Sequence, residues 1–259
     1  MNSREKERVE PVQNKIVLTI AGSDPTGGAG IQADLKTFHA LGLYGLSVIS
    51  AITAQDSKGV RGVFPVAPEA FSLQLETVLS DFRIDAVKTG MLVSADHVRI
   101  TVDFLKRFPP RILVIDPVIR SSNGVPLLNE EGVSVMMDAL FPLATAVTPN
   151  LSEAGILSGM DRSPDEEEDS WIRRMCKSIQ ALGPRDVIVT GGHRSGDPMD
   201  LLYDGIDFVS FPGPRAAKEL HGSGCIFSSA LCGYLALGCS MNEAVSRSKQ
   251  YTLERFLEK

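Results

Sequence analysis

The chain has 259 residues, with 26 basic against 32 acidic side chains and a formal charge of −6. A protein that grips nucleic acid through its phosphates carries a basic surplus, so the balance argues against that class. Hydrophobic residues make up 43% and charged ones 22%, which argues against a largely disordered chain. The longest apolar runs, such as 112–115, fall far short of the ~20 residues a bilayer-spanning helix needs. Residues 1–14 are charged, lack the apolar core of a secretory signal and read as a solvated tail. From residue 15 onward, short β-branched runs alternate with longer periodic segments. Strands are predicted at 15–21, 47–53, 59–66, 86–89, 111–116, 145–148 and 186–190, with a hairpin pairing 201–203 and 208–211 around Asp204-Gly205. Helices are predicted at 31–41, 68–81, 94–108, 129–140, 151–158, 165–182, 223–237 and 242–256, with Pro68 placed in a first turn.

Strands alternating with helices predict an α/β fold with a mostly parallel sheet and right-handed crossovers. No Pro/Ser-rich linker divides the chain, so 15–259 reads as one domain. The acidic run Asp165-Glu166-Glu167-Glu168-Asp169 reads as a solvated helix start, where negative charge suits the dipole. In such sheets ligands bind beyond the carboxyl ends of the strands. Five strand ends carry unusual residues and are expected to share one edge: Ala21-Gly22-Ser23-Asp24, Thr53-Ala54-Gln55, Thr89-Gly90-Met91, Asp116-Pro117 and Thr190-Gly191-Gly192-His193.

The loop Ala21-Gly22-Ser23-Asp24-Pro25-Thr26-Gly27-Gly28-Ala29-Gly30 lacks Gly-Lys-Ser/Thr, so it is not a Walker A loop, and it is not G-x-G-x-x-G in register. Gly27, Gly28 and Gly30 either make a tight strand-to-helix turn or let the backbone approach a ligand. Asp34 is expected in the first turn of the next helix. There it either answers the dipole or accepts a hydrogen bond from a substrate hydroxyl or amine. His221-Gly222-Ser223-Gly224-Cys225 precedes an apolar helix and presents successive amides at its N-terminus, an anion site resembling an oxyanion hole for a moving phosphoryl group. A helix N-terminus lowers a thiol pKa, so Cys225 is expected to be partly thiolate, unless it is a packed structural residue. Cys232 and Cys239 read as packing residues. The four cysteines show no C-x-x-C pair and no metal-ligand rhythm, which fits a reduced, cytoplasmic compartment. Asn150 with Glu153 reads either as a capping box or, with Asp116 and Glu153 together, as a pair organising Mg²⁺ directly or through water.

In order and spacing these motifs resemble the ribokinase-like small-molecule kinases, and among them the hydroxymethylpyrimidine/phosphomethylpyrimidine kinases of thiamine biosynthesis. The resemblance rests on residues 21–36 and 51–55, Lys88-Thr89-Gly90-Met91-Leu92, Asp116-Pro117-Val118, Thr148-Pro149-Asn150-Leu151-Ser152-Glu153-Ala154, Gly191-Gly192-His193 and His221-Gly222-Ser223-Gly224-Cys225. It covers roughly residues 15–258, and related sugar kinases carry aspartate where this chain has Cys225. It implies a three-layer α/β/α sandwich, ATP and Mg²⁺ as cofactors, a homodimer, and successive phosphorylation of an aminopyrimidine hydroxymethyl group and its monophosphate. It implies Cys225 as the base, with the amides of Gly222, Ser223, Gly224 and Cys225 stabilising phosphoryl charge. It implies that Gly22, Asp34, Gln55, Met91 and Val118 line the pyrimidine pocket. Gln55 suits it because one amide offers both a donor and an acceptor. It implies that Asn150, Thr190, Gly192 and Gly224 face the nucleotide, and Asp116 and Glu153 the metal.

This chain departs from the family where lysine usually precedes Gly-Gly-His and Thr190 stands instead, and where Arg120-Ser121-Ser122-Asn123-Gly124 replaces a Lys-Ser-Gly pattern. Lys88 and Arg120 are candidates for the displaced phosphate-directed charge. Ser223 for the usual threonine is conservative. Competing readings are a pyridoxine-type kinase of the same superfamily, a cysteine hydrolase pairing Cys225 with His221 or His193, and a non-catalytic nucleotide sensor.

Overall fold

Ile16–Ser23 forms β1, an almost continuously apolar strand buried over all but its ends, as a strand covered on both faces must be. It lies within a nine-stranded sheet seen in a computed structural model that describes residues 15–56, 59–192, 198–214 and 222–257. The predicted tail 1–14 lies outside these residues. In chain order the elements are β1, α1 (Gly30–Ala40), β2 (Tyr44–Asp56), β3 (Gly59–Pro65), α2 (Pro68–Asp81), β4 (Ala86–Thr89) and α3 (Ala95–Arg107). Then come β5 (Leu113–Ile115), α4 (Glu130–Val135), β6 (Ala146–Val147), α5 (Leu151–Ser158), α6 (Glu168–Gln180), β7 (Asp186–Val189), β8 (Met199–Tyr203), β9 (Phe208–Pro212), α7 (Ser223–Ala236) and α8 (Met241–Leu257).

The strand order is β3-β2-β1-β4-β5-β6-β7-β8-β9. Strands β2, β1, β4, β5, β6 and β7 are mutually parallel. β3 is antiparallel to β2, and β8 and β9 are antiparallel at the other edge. Alternation along the strands sends Leu18, Ile20, Val87, Ile115 and Val187 to one core with Phe71, Leu75, Leu105, Ile172 and Ile179 of α2, α3 and α6. Val17, Ala86, Val114 and Ile188 face the other core, with Phe38 of α1, Phe227 and Leu231 of α7 and Val245 of α8. This is the expected three-layer α/β/α sandwich. Each fully buried side chain such as Phe71 or Leu75 contributes about 1.5–3 kcal/mol.

Some boundaries differ from the sequence reading for identifiable reasons. β2 begins three residues earlier than predicted, because Tyr44, Gly45 and Leu46 pair in register with Ile16, Val17 and Leu18. Of the helix predicted over 129–140, only Glu130–Val135 is α-helical. The backbone widens into a π turn over Met136–Leu140 and tightens over Phe141–Leu143, where Pro142 cannot continue the ladder. The helix predicted from 165 starts at Glu168, with Glu167 as its cap. Glu166 stays outside and chelates Arg174 at 2.8 and 2.9 Å. α7 is buried along most of its length between the sheet, α1 and α8, as a helix apolar all round requires.

Candidate active site

Because the six parallel strands run side by side, their carboxyl ends open on one edge, and the five unusual strand ends gather there as expected. After β1 the chain must turn sharply into α1. Asp24, 2% exposed, organises the turn: its carboxylate accepts the Thr26 amide at 2.9 Å, the Thr26 hydroxyl at 2.9 Å and the Ala29 amide at 2.8 Å. Gly30, at φ +57°, leads into the helix, and a side chain there would lie 2.3 Å from the Gly22 carbonyl oxygen.

The second glycine cluster closes onto the first. Gly222 caps α7 in the left-handed region at φ +82°, and a Cβ on it would sit 1.9 Å from the Gly28 carbonyl oxygen. The two loops, nearly two hundred residues apart in sequence, therefore meet backbone to backbone. α7 has no side-chain cap, so its first amides, at Ser223, Gly224 and Cys225, have no intrahelical acceptor and face outward as an anion site. Ser223 and Cys225 are half-buried and Gly224 is exposed, so this end is reachable.

Below it lies a chain of buried ionic groups. Lys88 of β4 has no exposure, and its ammonium donates to both oxygens of Asp34 at 3.0 and 2.9 Å. The Thr19 hydroxyl donates to Asp34 Oδ2 at 2.6 Å. Lys88 Nζ also lies 3.9 Å from Asp116 Oδ2. Asp116 in turn accepts the Ser228 hydroxyl at 3.0 Å and the Cys225 thiol.

Three expectations are corrected here. Asp34 is not in the first turn of α1, which begins at Gly30, but in the second. Its carboxylate has no exposed surface and is engaged by Thr19 and Lys88. Lys88 is an internal counter-ion and not a free phosphate-directed cation. Burial pulls its ammonium down, but Asp34, then Cys225 and Asp116, outweigh that and hold it above lysine's ordinary range. Cys225 is a thiol in the resting site and not a partial thiolate. Burial pushes it up to about 12; Lys88 pulls it down, while Asp116 and Asp34 push it further up. The helix-terminus effect is smaller than these charges at close range. The second proposed cation, Arg120, is exposed in a loop tied by a bridge to Pro126.

On the β2 side of the edge, Met91 joins Ala51, Val60 and Leu127 in a small apolar cluster, with Val118 and Val93 packed against it. A Cβ on Gly22 would fall 2.2 Å from Met91 Cε, so glycine is what lets Met91 lie there. The Leu92 carbonyl accepts the Ser94 amide at 2.8 Å across Val93, whose φ of +66° is strained for a β-branched residue. This γ-turn directs the chain out of the pocket wall into α3. Gln55, half-buried, follows an irregularity in β2 and pairs in register with Val60. Thus Gly22, Gln55, Met91 and Val118 converge.

On the other side, Asn150 and Glu153 form the capping box. Asn150 Oδ1 accepts the Glu153 amide and Glu153 Oε2 accepts the Asn150 amide, both at 3.0 Å, while Oε1 accepts the Ile119 amide at 3.4 Å. Burial, then the Asp116 charge, raises Glu153 to about 8. Thr190 pairs with Asn150 across β6 and β7, its amide donating to the Pro149 carbonyl at 3.0 Å. The Gly191 amide donates to Asp200 at 2.8 Å, and Lys249 of α8 holds the other Asp200 oxygen at 2.9 Å. Gly192 is exposed beside them. His193 and His221, needed by the hydrolase reading, lie outside the described residues. The sequence reading missed Ser228, Thr19, Asp200 and Lys249. Ser228, polar within an apolar helix, was the one with a legible signal.

The fold and this edge define a small-molecule kinase of the ribokinase-like class. The sequence profile of the phosphomethylpyrimidine kinase family matches residues 24–259. A bifunctional thiamine biosynthesis protein of Geobacter sulfurreducens is 45% identical over 246 residues, 94% of this chain and 49% of that one, so this chain spans about half its length. The hydroxymethylpyrimidine/phosphomethylpyrimidine kinase of Rhizobium meliloti is 44% identical, over 91% of this chain and 88% of its own. The solved phosphomethylpyrimidine kinase of Clostridium difficile superposes with a TM-score of 0.82 at 41% identity, covering 93% and 99% of the two chains. Staphylococcus aureus pyridoxal kinase with AMP-PCP gives 0.84 at 36%, covering 93% and 87%. The chain belongs to the phosphomethylpyrimidine kinase family and is a phosphotransferase.

Proposed function

We propose that this chain transfers the γ-phosphoryl of ATP to the hydroxymethyl group of 4-amino-5-hydroxymethyl-2-methylpyrimidine, and then phosphorylates the monophosphate. The observation that carries this reading is the convergence, at one sheet edge, of the open α7 N-terminus, Asp116 and the apolar wall of Gly22, Met91 and Val118. The wall accepts a flat ring, and Gln55 supplies a donor and an acceptor at its margin. The minority thiolate form of Cys225 takes the hydroxyl proton as the hydroxyl oxygen bonds to the γ-phosphorus and ADP leaves, and the amides of Gly222, Ser223 and Gly224 face the charge of the transferring group. Thr190, Gly192 and Asn150 border the nucleotide phosphates.

Asp116 and Glu153 fit a divalent cation. They are two buried carboxylates, the charge of one raising the pKa of the other, and Mg²⁺ binds through one or two carboxylates plus phosphates and water. When bound, Mg²⁺ would supply charge neutralisation for the phosphates. The pH dependence follows from Glu153, whose folded value of about 8 lies above its ordinary 4.5. Its contribution is fully present below the unfolded value and is lost as pH rises toward 8, roughly 5 kcal/mol. A cation displaces that proton. Mg²⁺ with ADP is therefore expected to raise the melting temperature more at pH 8.5 than at pH 6. An equal rise at both would remove Glu153 from the metal site.

The reading also takes 15–259 as one domain in the cytoplasm, supported by the single continuous sheet and by four free cysteines. Among the described residues no helix is long and apolar enough to cross a membrane. A homodimer is supported by Ile52 and Phe64, which face each other across β2 and β3 and are 57% and 61% exposed. Incubation with ATP, Mg²⁺ and the hydroxymethylpyrimidine, followed by chromatography, is expected to show mono- and then diphosphate. Turnover of pyridoxal alone would move the assignment to the pyridoxal-kinase relatives, and no product from either would overturn it.

A further inference from the structure

A lysine in the middle of a strand buried on both faces has to be explained. A buried ion pair is a poor source of stability, since apolar residues of similar volume do as well or better. Yet Lys88 has no exposed surface and Asp34 none. Asp34 occupies one side of the ammonium with both oxygens, anchored by Thr19. The other side faces Asp116 at 3.9 Å. Asp116 stands at the reacting end of the site, accepting from Ser228 of α7 and from the Cys225 thiol. Lys88 thus ties three layers together under the phosphoryl-transfer centre: α1 through Asp34, the sheet through β4 and β5, and α7 through Asp116. Gly90 belongs to the same arrangement, since a Cβ there would lie 3.1 Å from Lys88 Nζ and 3.0 Å from the Ala21 Cβ.

We propose that Lys88 is a positioning residue for the transfer step: anchored by Asp34, its ammonium holds the Asp116 carboxylate in register with Cys225 and Ser228. This rests on the reading above that Asp116 and Cys225 serve phosphoryl transfer. The pair acts from beneath the site and touches neither substrate nor nucleotide.

The test removes the pair as a neutral unit. Lys88→Met/Asp34→Asn removes two opposite charges together, keeps an acceptor for Thr19 and leaves Asp116 its bonds from Ser228 and the Cys225 thiol. The double variant is expected to stay folded at the assay temperature, though with a lower melting point because Asp116 loses its buried counter-ion, and to bind ADP in calorimetry with unchanged affinity. Its kcat is expected to fall about 100-fold, the loss that follows from a displacement of about 1 Å, while KM for the pyrimidine stays the same. A folded double variant with wild-type kcat overturns the proposal and leaves the pair a structural element. Ser228→Ala loosens the same carboxylate without touching the pair and decides the matter if the double variant does not fold. It is expected to lower kcat with KM and melting temperature unmoved, and wild-type kcat would overturn the proposal. Asp116→Asn serves as the control on the underlying reading. Full turnover in that variant would show that the site assignment, and not the tether, is at fault.

Discussion

Cys225→Ala is expected to lower kcat by about 10²–10⁴-fold, the range for removing a positioned general base, with nucleotide affinity kept. The retention follows from geometry. The anion site at the start of α7 is made of backbone amides, which a side-chain truncation leaves in place. The pH profile gives a second, independent check. With the resting thiol held up to about 12, the thiolate is a minority at neutral pH and grows about tenfold per pH unit. The kcat/KM of the wild type is therefore expected to rise through pH 6–9 without levelling near 7. In Cys225→Asp the base is a carboxylate, and the same range should be flat. Unchanged turnover in Cys225→Ala, measured by product chromatography, would remove the thiol from the proton transfer.

Gly222→Ala has the largest expected effect on the fold near the site. Alanine at φ +82° costs about 1–2 kcal/mol. Its Cβ would stand 1.9 Å from the Gly28 oxygen and 2.7 Å from the Gly28 carbonyl carbon, and forcing the two backbones apart adds about 1–3 kcal/mol. The total of about 2–5 kcal/mol corresponds to a fall in melting temperature of roughly 5–15 °C. Because the clash separates the first glycine loop from the start of α7, turnover should fall about 100-fold even below the melting transition. Gly224→Ala is the control: nothing lies within 4 Å of a Cβ there, so the melting temperature should not move. Equal melting temperatures for the two variants would show that the loops do not depend on this contact.

Much of the fold was legible because its signals are local. The 68–81 helix, with proline in its first turn, and the 86–89 strand end where the sequence reading places them. The capping box at Asn150 and Glu153 was readable from a spacing of three residues. The π turn at Met136–Leu140 was not, since nothing in a helical period announces one extra residue per turn. Gly22, Met91 and Val118, singled out by motif, lie side by side in the structure. Ser228, Asp200 and Lys249 were missed, because each acts through a partner far away in the chain.

The sequence by itself determined the alternation of strands and helices, the parallel sheet, the two glycine clusters and the identity of the cysteine beside them. Those follow from periodicity, turn chemistry and helix-end composition, which involve neighbours along the chain. Only the tertiary structure decided what Asp34, Lys88 and Cys225 are. Separated by up to 191 residues in sequence, they meet around the fully buried Asp34–Lys88 pair, where each charge is set by the others more than by its own position. There Asp34 is held by Thr19 and Lys88, Lys88 is a buried counter-ion, and the Cys225 thiol is pushed up to about 12 by burial. A helix N-terminus is readable from Gly-Ser-Gly. The charges packed beneath it are not, because electrostatic energy in a dry interior depends on distances that no linear spacing encodes.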